Sequence, residues 1–219
     1  VLANEVLDAM PVNIFRIAKN DVIEEAHIDC DNDDFYNIWR SSANTKLIEA
    51  VSNIKSPLAI GYQSEVNLPI KPWLASIYQF LSEGLVLLID YGFPQSTYYH
   101  ENRDSGTLMC HYKHKSHPNP FINLGKQDIT AHVDFTAVAQ AAFDLGFDIS
   151  GYTNQAAFLI ANGITELVAK YSDKQLFKAN SAIKMLTMPQ EMGELFKVIA
   201  LTKNFDRSLQ GFELRDQRH

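Results

Sequence analysis

The apolar positions of this chain change period along its length, and each change marks an expected element. Leu47, Ile48, Val51 and Ile54 follow i, i+1, i+4, i+7 spacing after Asn44, a good N-cap, with Pro57 just beyond; this pattern predicts a helix. Trp73, Leu74, Ile77, Phe80 and Leu81 share one face of a second helix, with Pro72 in its first turn and Gly84 at its end. Leu85-Val86-Leu87-Leu88-Ile89 is apolar throughout, which predicts a central strand of a parallel sheet covered by helices on both faces. Residues 128–135 alternate polar and apolar, so in an extended chain Asp128, Thr130, His132 and Asp134 share one face. Asp134 then caps a helix with Phe135, Val138, Ala139, Ala142 and Leu145 inward, and Gly146 stops it.

The remaining elements are read the same way. Val1–Glu5 resembles the tail of a strand already under way; a native start would bring Met, so a segment upstream is expected. Asn13–Lys19 and Val22–Ile28 form a hairpin around Asn20-Asp21. Its far side is acidic, with seven carboxylates and no Lys or Arg between Asp21 and Asp34. Gly106–His114 and Phe147–Tyr152 are strands. Asn154 caps a helix reaching about Tyr171, Ala179–Lys203 is mostly helical with a break near Pro189, and Ser208–Leu214 is a last strand. Alternation of helices and strands argues an α/β fold, in which chemistry gathers beyond the carboxyl ends of the strands.

Composition narrows the function. A net charge of −7 disfavours nucleic acid and anionic membranes as general partners and permits a basic protein partner. No stretch approaches the ~20 apolar residues of a membrane span. Two cysteines, Cys30 and Cys110, suggest a reducing compartment. Cys110, His111, His114 and His117 lack a second ligand pair, and Lys113 and Lys115 lie among them, so no metal site is expected. The G-x-G-x-x-G, P-loop and G-x-S-x-G patterns are absent from the chain.

Two polar clusters stand where strand-end chemistry would. Asn4, Glu5 and Asp8 follow the first strand, and Asp90-Tyr91-Gly92 follows the apolar one. Glu5, Asp8 and Glu65 are carboxylates able to fork a guanidinium, although Asn4 and Asp8 equally suit turns and helix caps. Asp90 suits a ligand contact or a turn, and Tyr91 a substrate floor or a sheet edge. His132 with Asp128 and Asp134 suits an acid–base set, or a structural histidine beside a capping aspartate.

Taken together, Asn4-Glu5 with Asp8-Ala9 and Pro11, then Leu88-Ile89-Asp90-Tyr91-Gly92, Gly106-Thr107-Leu108, the stretch 128–135 and Gln155-Ala156-Ala157-Phe158-Leu159, resemble the MidA-like methyltransferases in order and separation over nearly the whole chain. The family comprises bacterial proteins and a mitochondrial branch that serves respiratory complex I assembly by dimethylating an arginine of a subunit. The resemblance implies a class I, Rossmann-like fold using S-adenosyl-L-methionine, with 1–219 as part of the catalytic domain and 12–56 an inserted acidic hairpin and helix facing the partner. The family's glycine-rich cofactor loop would lie upstream of Val1, so that the chain begins near the fourth of seven strands and is inactive alone. It implies Glu5, Asp8 and His132 as catalytic, Asn4, Glu5 and Asp90 beside the cofactor, and Glu65, Tyr91 and Asp128 toward a substrate protein with a reactive arginine. A homodimer, and a cytoplasmic setting or a mitochondrial matrix in a eukaryote, fit the same reading. The competing readings are a non-catalytic assembly scaffold using the acidic hairpin, and methylation of a small molecule or nucleic acid, the last disfavoured by charge.

Overall fold

The computed structural model describes residues 1–32, 34–168 and 173–218. Strand β1 (Leu2–Asn4) opens the chain as expected. Strands β2 (Asn13–Ile17) and β3 (Ile23–Asp31) form the expected hairpin, with Phe15 opposite Glu25. The chain then returns as β4 (Asp34–Ser41), which the periodicity does not reveal. Its apolar residues come as adjacent pairs, Phe35-Tyr36 and Ile38-Trp39, so neither a two-residue nor a 3.6-residue repeat emerges.

Helix α1 (Thr45–Ser52) starts where Asn44 accepts from the Leu47 N–H at 3.3 Å. Strand β5 (Gln63–Val66), helix α2 (Ile70–Phe80) and strand β6 (Gly84–Phe93) follow. After α3 (Gln95–Tyr98), the strand expected over 106–114 shortens to β7 (Met109–Tyr112). Gly106 takes φ +77° before it, and Lys113 and His114 turn the chain into β8 (Lys115–His117). The alternating stretch 128–135 is not one strand. It breaks between β9 (Asp128–Thr130) and β10 (Val133–Asp134), because the N–H groups of Ala131 and His132 bond instead to the Asp8 carbonyl and the Thr107 hydroxyl, both at 3.0 Å.

Helix α4 (Phe135–Leu145) ends at Gly146, whose φ of +97° only glycine adopts readily. Strand β11 (Asp148–Asn154) leads into α5 (Gln155–Ala161), capped by Asn154 through the Ala157 N–H at 2.8 Å. The expected long helix stops at Ala161 because Gly163 has φ +77°; α6 (Ile164–Val168) resumes, and Tyr171 lies outside the described residues. Helices α7 (Asp173–Thr187) and α8 (Met192–Leu195) follow. Phe196–Lys203 is then strand β12, not the continuation of a helix. The apolar run Val198–Leu201 has no period by which to tell a buried strand from a buried helix.

The described residues form two compact units, whose boundaries fall within α2 and α4. The first comprises Val1–Val6, Leu74–Gly92 and Val138–His219. Its sheet runs β1-β6-β12-β11, with β1 parallel to β6 and β12 antiparallel to both neighbours. The sheet is therefore mixed, which corrects the expectation of an all-parallel setting for β6. The strand enclosed on both faces is β12, buried from Phe196 through Thr202, whereas β6 alternates. Val198, Ala200 and Phe212 centre the packing on one face, with Leu85, Leu87, Ile89 and Phe158 around them. Ser208–Leu214 is not a strand: Gln210–Phe212 is a 3-10 turn that seats the Phe212 ring 5.4 Å from Phe158.

The second unit comprises Leu7–Trp73 and Phe93–Ala137. It holds a four-stranded antiparallel sheet, β4-β3-β2-β5, and a three-stranded one, β8-β7-β9. Phe15, Ile17, Leu47, Val51, Tyr62, Tyr98 and Tyr99 form its core. Cys30 is exposed and Cys110 buried, both as free thiols. No helix among the described residues is long and apolar enough to cross a membrane.

Leu201, fully buried in β12, sets the scale for unit 1. Leu201→Ala is expected to cost about 2–5 kcal/mol in urea denaturation, and Leu214→Ala, at an exposed position, under about 0.5 kcal/mol.

Candidate functional site

The first unit carries a polar rim. Because β1 and β6 are parallel neighbours, with Asn4 in register with Ile89, their carboxyl ends coincide. The Glu5 N–H extends the ladder by donating to the Ile89 carbonyl at 3.0 Å. Glu5 then leaves the strand with φ +49°, a left-handed conformation uncommon for a residue with a Cβ. Asn4 Nδ2 donates to Glu5 Oε1 at 3.2 Å, and both residues are exposed. Asp90, one residue past Ile89, is buried, and its Oδ1 accepts from the Tyr91 N–H at 2.9 Å. Asn4, Glu5 and Asp90 are thus brought to one rim. Tyr91 adjoins them on β6 and packs edge-on against Phe196, with ring centroids 5.4 Å apart.

Lys197 stands opposite Asp90 in the β6–β12 register and is buried. Residues directly opposite in an antiparallel pair project to the same face. The ammonium donates to the Glu194 carbonyl and to its carboxylate at 3.2 Å. The sequence reading missed Lys197 because it placed 179–203 in a helix. A lysine inside the run Phe196–Leu201 was the available signal, since a buried lysine needs partners.

The second unit buries a different carboxylate. Glu65 is 2 % exposed, and its oxygens accept from the N–H groups of Thr107 and Leu108 at 3.0 and 3.1 Å. The Thr107 hydroxyl at 3.3 Å and the Tyr98 hydroxyl at 3.4 Å complete the cradle. Tyr99 donates to the Glu65 carbonyl at 3.0 Å. Burial raises the Glu65 carboxyl above the usual carboxylate range, against the opposing pull of these donors. Burial together with the Glu65 charge also pushes Tyr62 up to about 12 and Tyr98 well above its ordinary value. Both oxygens of Glu65 are engaged by the protein itself, so the carboxylate named above for a substrate guanidinium anchors the 107–108 backbone. Gly106 makes this approach feasible: a Cβ there would lie 2.1 Å from Glu65 Oε1, on a backbone already at φ +77°.

The other candidates of this unit extend that frame. Thr107 Oγ1 receives the His132 N–H at 3.0 Å. The His132 ring packs edge-on to Phe93 at 5.3 Å, and the Arg103 guanidinium lies over the same Phe93 ring at 4.1 Å. Burial, and secondarily Arg103, lowers the His132 imidazole to about 4, so it is neutral near pH 7. Asp134 caps α4 through the Thr136 and Ala137 N–H groups at 3.0 and 3.2 Å, and burial lifts its carboxyl to about 6. Asp8 is buried, and its carbonyl holds the Ala131 N–H. Asp128 is exposed on β9, opposite His111 of β7. Thr107 entered the sequence reading only within Gly106-Thr107-Leu108, with no role, and Tyr98 and Tyr99 were not singled out; only the fold reveals their convergence on Glu65. Among the described residues, no cluster of three or more His, Cys, Asp or Glu could hold a metal.

Residues 1–153 match the model of a family described as "Putative S-adenosyl-L-methionine-dependent methyltransferase". A crystal structure of a Burkholderia thailandensis superfamily protein bound to S-adenosyl-homocysteine superposes with a TM-score of 0.93 at 38 % identity, covering 100 % of this chain and 57 % of that one. A native structure of an uncharacterised protein of the same superfamily and organism gives 0.92 at 38 % identity, covering 100 % and 59 %. A Drosophila melanogaster protein named protein arginine methyltransferase NDUFAF7 homolog, mitochondrial, is 27 % identical over 214 aligned residues, covering 92 % of this chain and 46 % of that protein. The chain thus spans about half the length of these relatives.

Two outcomes follow from the second unit. Gly106→Ala is expected to destabilise the fold by about 1–3 kcal/mol or more, through strain and displacement of the Glu65 cradle, measured by denaturant titration. The folded-state value of His132 lies below its unfolded 6.5, so its contribution is fully present above pH 6.5 and is lost as pH falls toward 4. Asp134 trends the other way, its contribution being present below 3.8 and lost as pH rises through 6. The His132 ring resonances should therefore stay at neutral-imidazole positions from pH 8 to 5 in an NMR titration; a midpoint near 6.5 would contradict the buried, neutral ring.

Proposed function

Since the chain belongs to this S-adenosyl-L-methionine-dependent methyltransferase family, we propose that the protein moves a methyl group from S-adenosyl-L-methionine to an arginine of a protein substrate. The sheet containing β1 and β6 would be part of a class I, Rossmann-like fold. The observation that carries the reading is the coincident carboxyl ends of these parallel strands, which bring Asn4, Glu5 and Asp90 to one rim. Open α/β sheets bind ligands beyond such ends. The choice of arginine draws its support from the name of the Drosophila relative. Service to respiratory complex I assembly, in a mitochondrial matrix if the source is a eukaryote, draws its support from the resemblance read in the sequence.

The donor set fits the cofactor. Two carboxylates and an amide oxygen are hydrogen-bond acceptors that suit a ligand bearing a cationic sulfonium and an ammonium. Asn4, Glu5 and Asp90 would hold it; bound there, it supplies an electrophilic methyl group.

The chain's own residues have three tasks. A guanidinium stays protonated, with a pKa above ~12, so one nitrogen must be made nucleophilic by holding positive charge on another. Glu5, exposed and steadied through its Oε1 by Asn4, can take that fork. The attacking nitrogen would give up a proton as it takes the methyl group from the sulfur, which would leave as a neutral thioether, and a carboxylate such as Glu5 would accept that proton. Asp90, fixed by the Tyr91 N–H, would offer a second carboxyl acceptor at the rim, and Tyr91 an apolar floor. Asp8 and His132 take supporting roles in this proposal, with Asp128 as a surface contact for the substrate.

In the full-length protein, Glu5→Gln is expected to lower methyl transfer to a substrate protein about 10²-fold. Unchanged transfer would remove Glu5 from the mechanism. Absence of any calorimetric signal on titrating full-length protein with S-adenosyl-L-methionine would instead favour the non-catalytic scaffold.

A further inference from the structure

The second unit exposes a sheet edge that the proposed chemistry does not use. Strand β4 ends the order β4-β3-β2-β5, and among the described residues only β3 pairs with it. It pairs with β3 over eight consecutive residues without a bulge, so no irregularity interrupts its outer side. Natural edges of this length are usually defended by proline, an inward lysine or a bulge. Residues 34–41 contain neither proline nor lysine.

The two faces beside this edge differ in chemistry. Residues opposite each other in the register project to the same side, so Ala26 with Trp39, Ile28 with Asn37 and Cys30 with Phe35 form one face. This face lines a cavity of about 420 Å³, where Ile28 and Phe35 meet Phe121, Leu124 and Ile129. Ile28 is 66 % and Leu124 52 % exposed. On the opposite face Glu25 stands against Arg40 and His27 against Ile38, and toward the hairpin tip the face turns acidic, with Asp29 against Tyr36 and Asp31 directly against Asp34. All three aspartates are exposed, and none is ion-paired to Lys or Arg among the described residues. Like charges directly opposite on two strands are destabilising, so this arrangement leaves negative charge unneutralised within the protein.

We infer that β4 is a docking edge for an extended segment of the protein substrate in which apolar and basic side chains alternate. Main-chain hydrogen bonds to the edge would add the segment as a further strand. The two-residue period then sends alternate side chains to opposite sides. Apolar ones enter the cavity beside Phe35, and basic ones face Asp29, Asp31 and Asp34. An amphipathic helix, whose period is 3.6, matches neither the edge nor the division between faces. This inference rests on the reading that the acceptor is a protein, and it names how that protein is held.

The test uses full-length protein and an acetylated, amidated octapeptide of alternating Arg and Val. The comparison peptide has the same composition with the four Arg and four Val in blocks. Hydrogen exchange with mass spectrometry reads the amides of 34–41, and fluorescence anisotropy reads affinity. The alternating peptide should slow exchange across β4 and bind at least tenfold more tightly than the block peptide. N-methylation of alternate peptide nitrogens on the pairing side should abolish both effects. The Asp29→Asn, Asp31→Asn, Asp34→Asn triple variant alters only exposed positions and should weaken binding at least tenfold, with an unchanged melting temperature checking its fold. Equal binding of the two peptides, no protection of β4, or full protection of β4 in the protein alone would overturn the inference. Methyl transfer is measured separately. Peptide protection without transfer upholds the docking edge against the enzymatic reading, and transfer without peptide protection does the reverse.

Discussion

The parallel pairing of β1 with β6 is the constraint from which the site in the first unit follows. Two adjacent parallel strands finish on the same side, whereas adjacent antiparallel ones finish on opposite sides. Here the register sets Asn4 beside Ile89, so the residues that come next, Glu5 and Asp90, share a rim by necessity. The Glu5 N–H locks that ending by taking one further ladder bond before the backbone turns left-handed. A slip of one residue would exchange the faces of β1 and carry Ala3 out of its buried position. Burial of a single alanine is a modest force, but six residues of unit 1 precede a gap of 67, and the short strand has no other anchor in sequence. Val1 reinforces the same register, its nitrogen donating to the Leu85 carbonyl and its carbonyl accepting from the Leu87 N–H.

The second unit solves a different problem, the burial of charge. Glu65 has no cationic partner in its cradle; two main-chain N–H groups and two hydroxyls share its solvation. Such a carboxylate is costly to bury and costlier to strip of one donor. The outcome is rigidity: Thr107 binds Glu65 with its N–H and hydroxyl while its oxygen receives the His132 N–H, so the chain near 65, 98, 107 and 132 is held as one piece. His132 belongs to this frame through its backbone and its ring packing, with the imidazole kept neutral by the same burial.

Legibility in the sequence followed periodicity and caps. Asn44, Asp134 and Asn154 announced helix starts that the structure keeps, because a side-chain acceptor three residues ahead of a donor is a local property. Asn4, Glu5 and Asp90 were legible because strand ends are sequence features and only their adjacency required the fold. The failures share a cause. Strand β12 is buried on both faces and its apolar run has no period, β4 presents its apolar residues in adjacent pairs, and Gly211-Phe212 forms a turn dictated by the rings it meets. The engagement of Glu65 was invisible, since its donors lie more than thirty residues away.

The way unit 1 is assembled from separated stretches also bears on synthesis. Its sheet seats β6 between β1 near the start of the chain and β12 beyond residue 195, and Leu87 has Ala200 across from it. During translation, the apolar edge of β6 therefore emerges from the ribosome more than a hundred residues before the strand that covers it. The second unit, complete once Ala137 has appeared, can form during that interval. The growing polypeptide must carry an uncovered, aggregation-prone edge throughout that interval, a period in which a holding chaperone would have its greatest effect on yield.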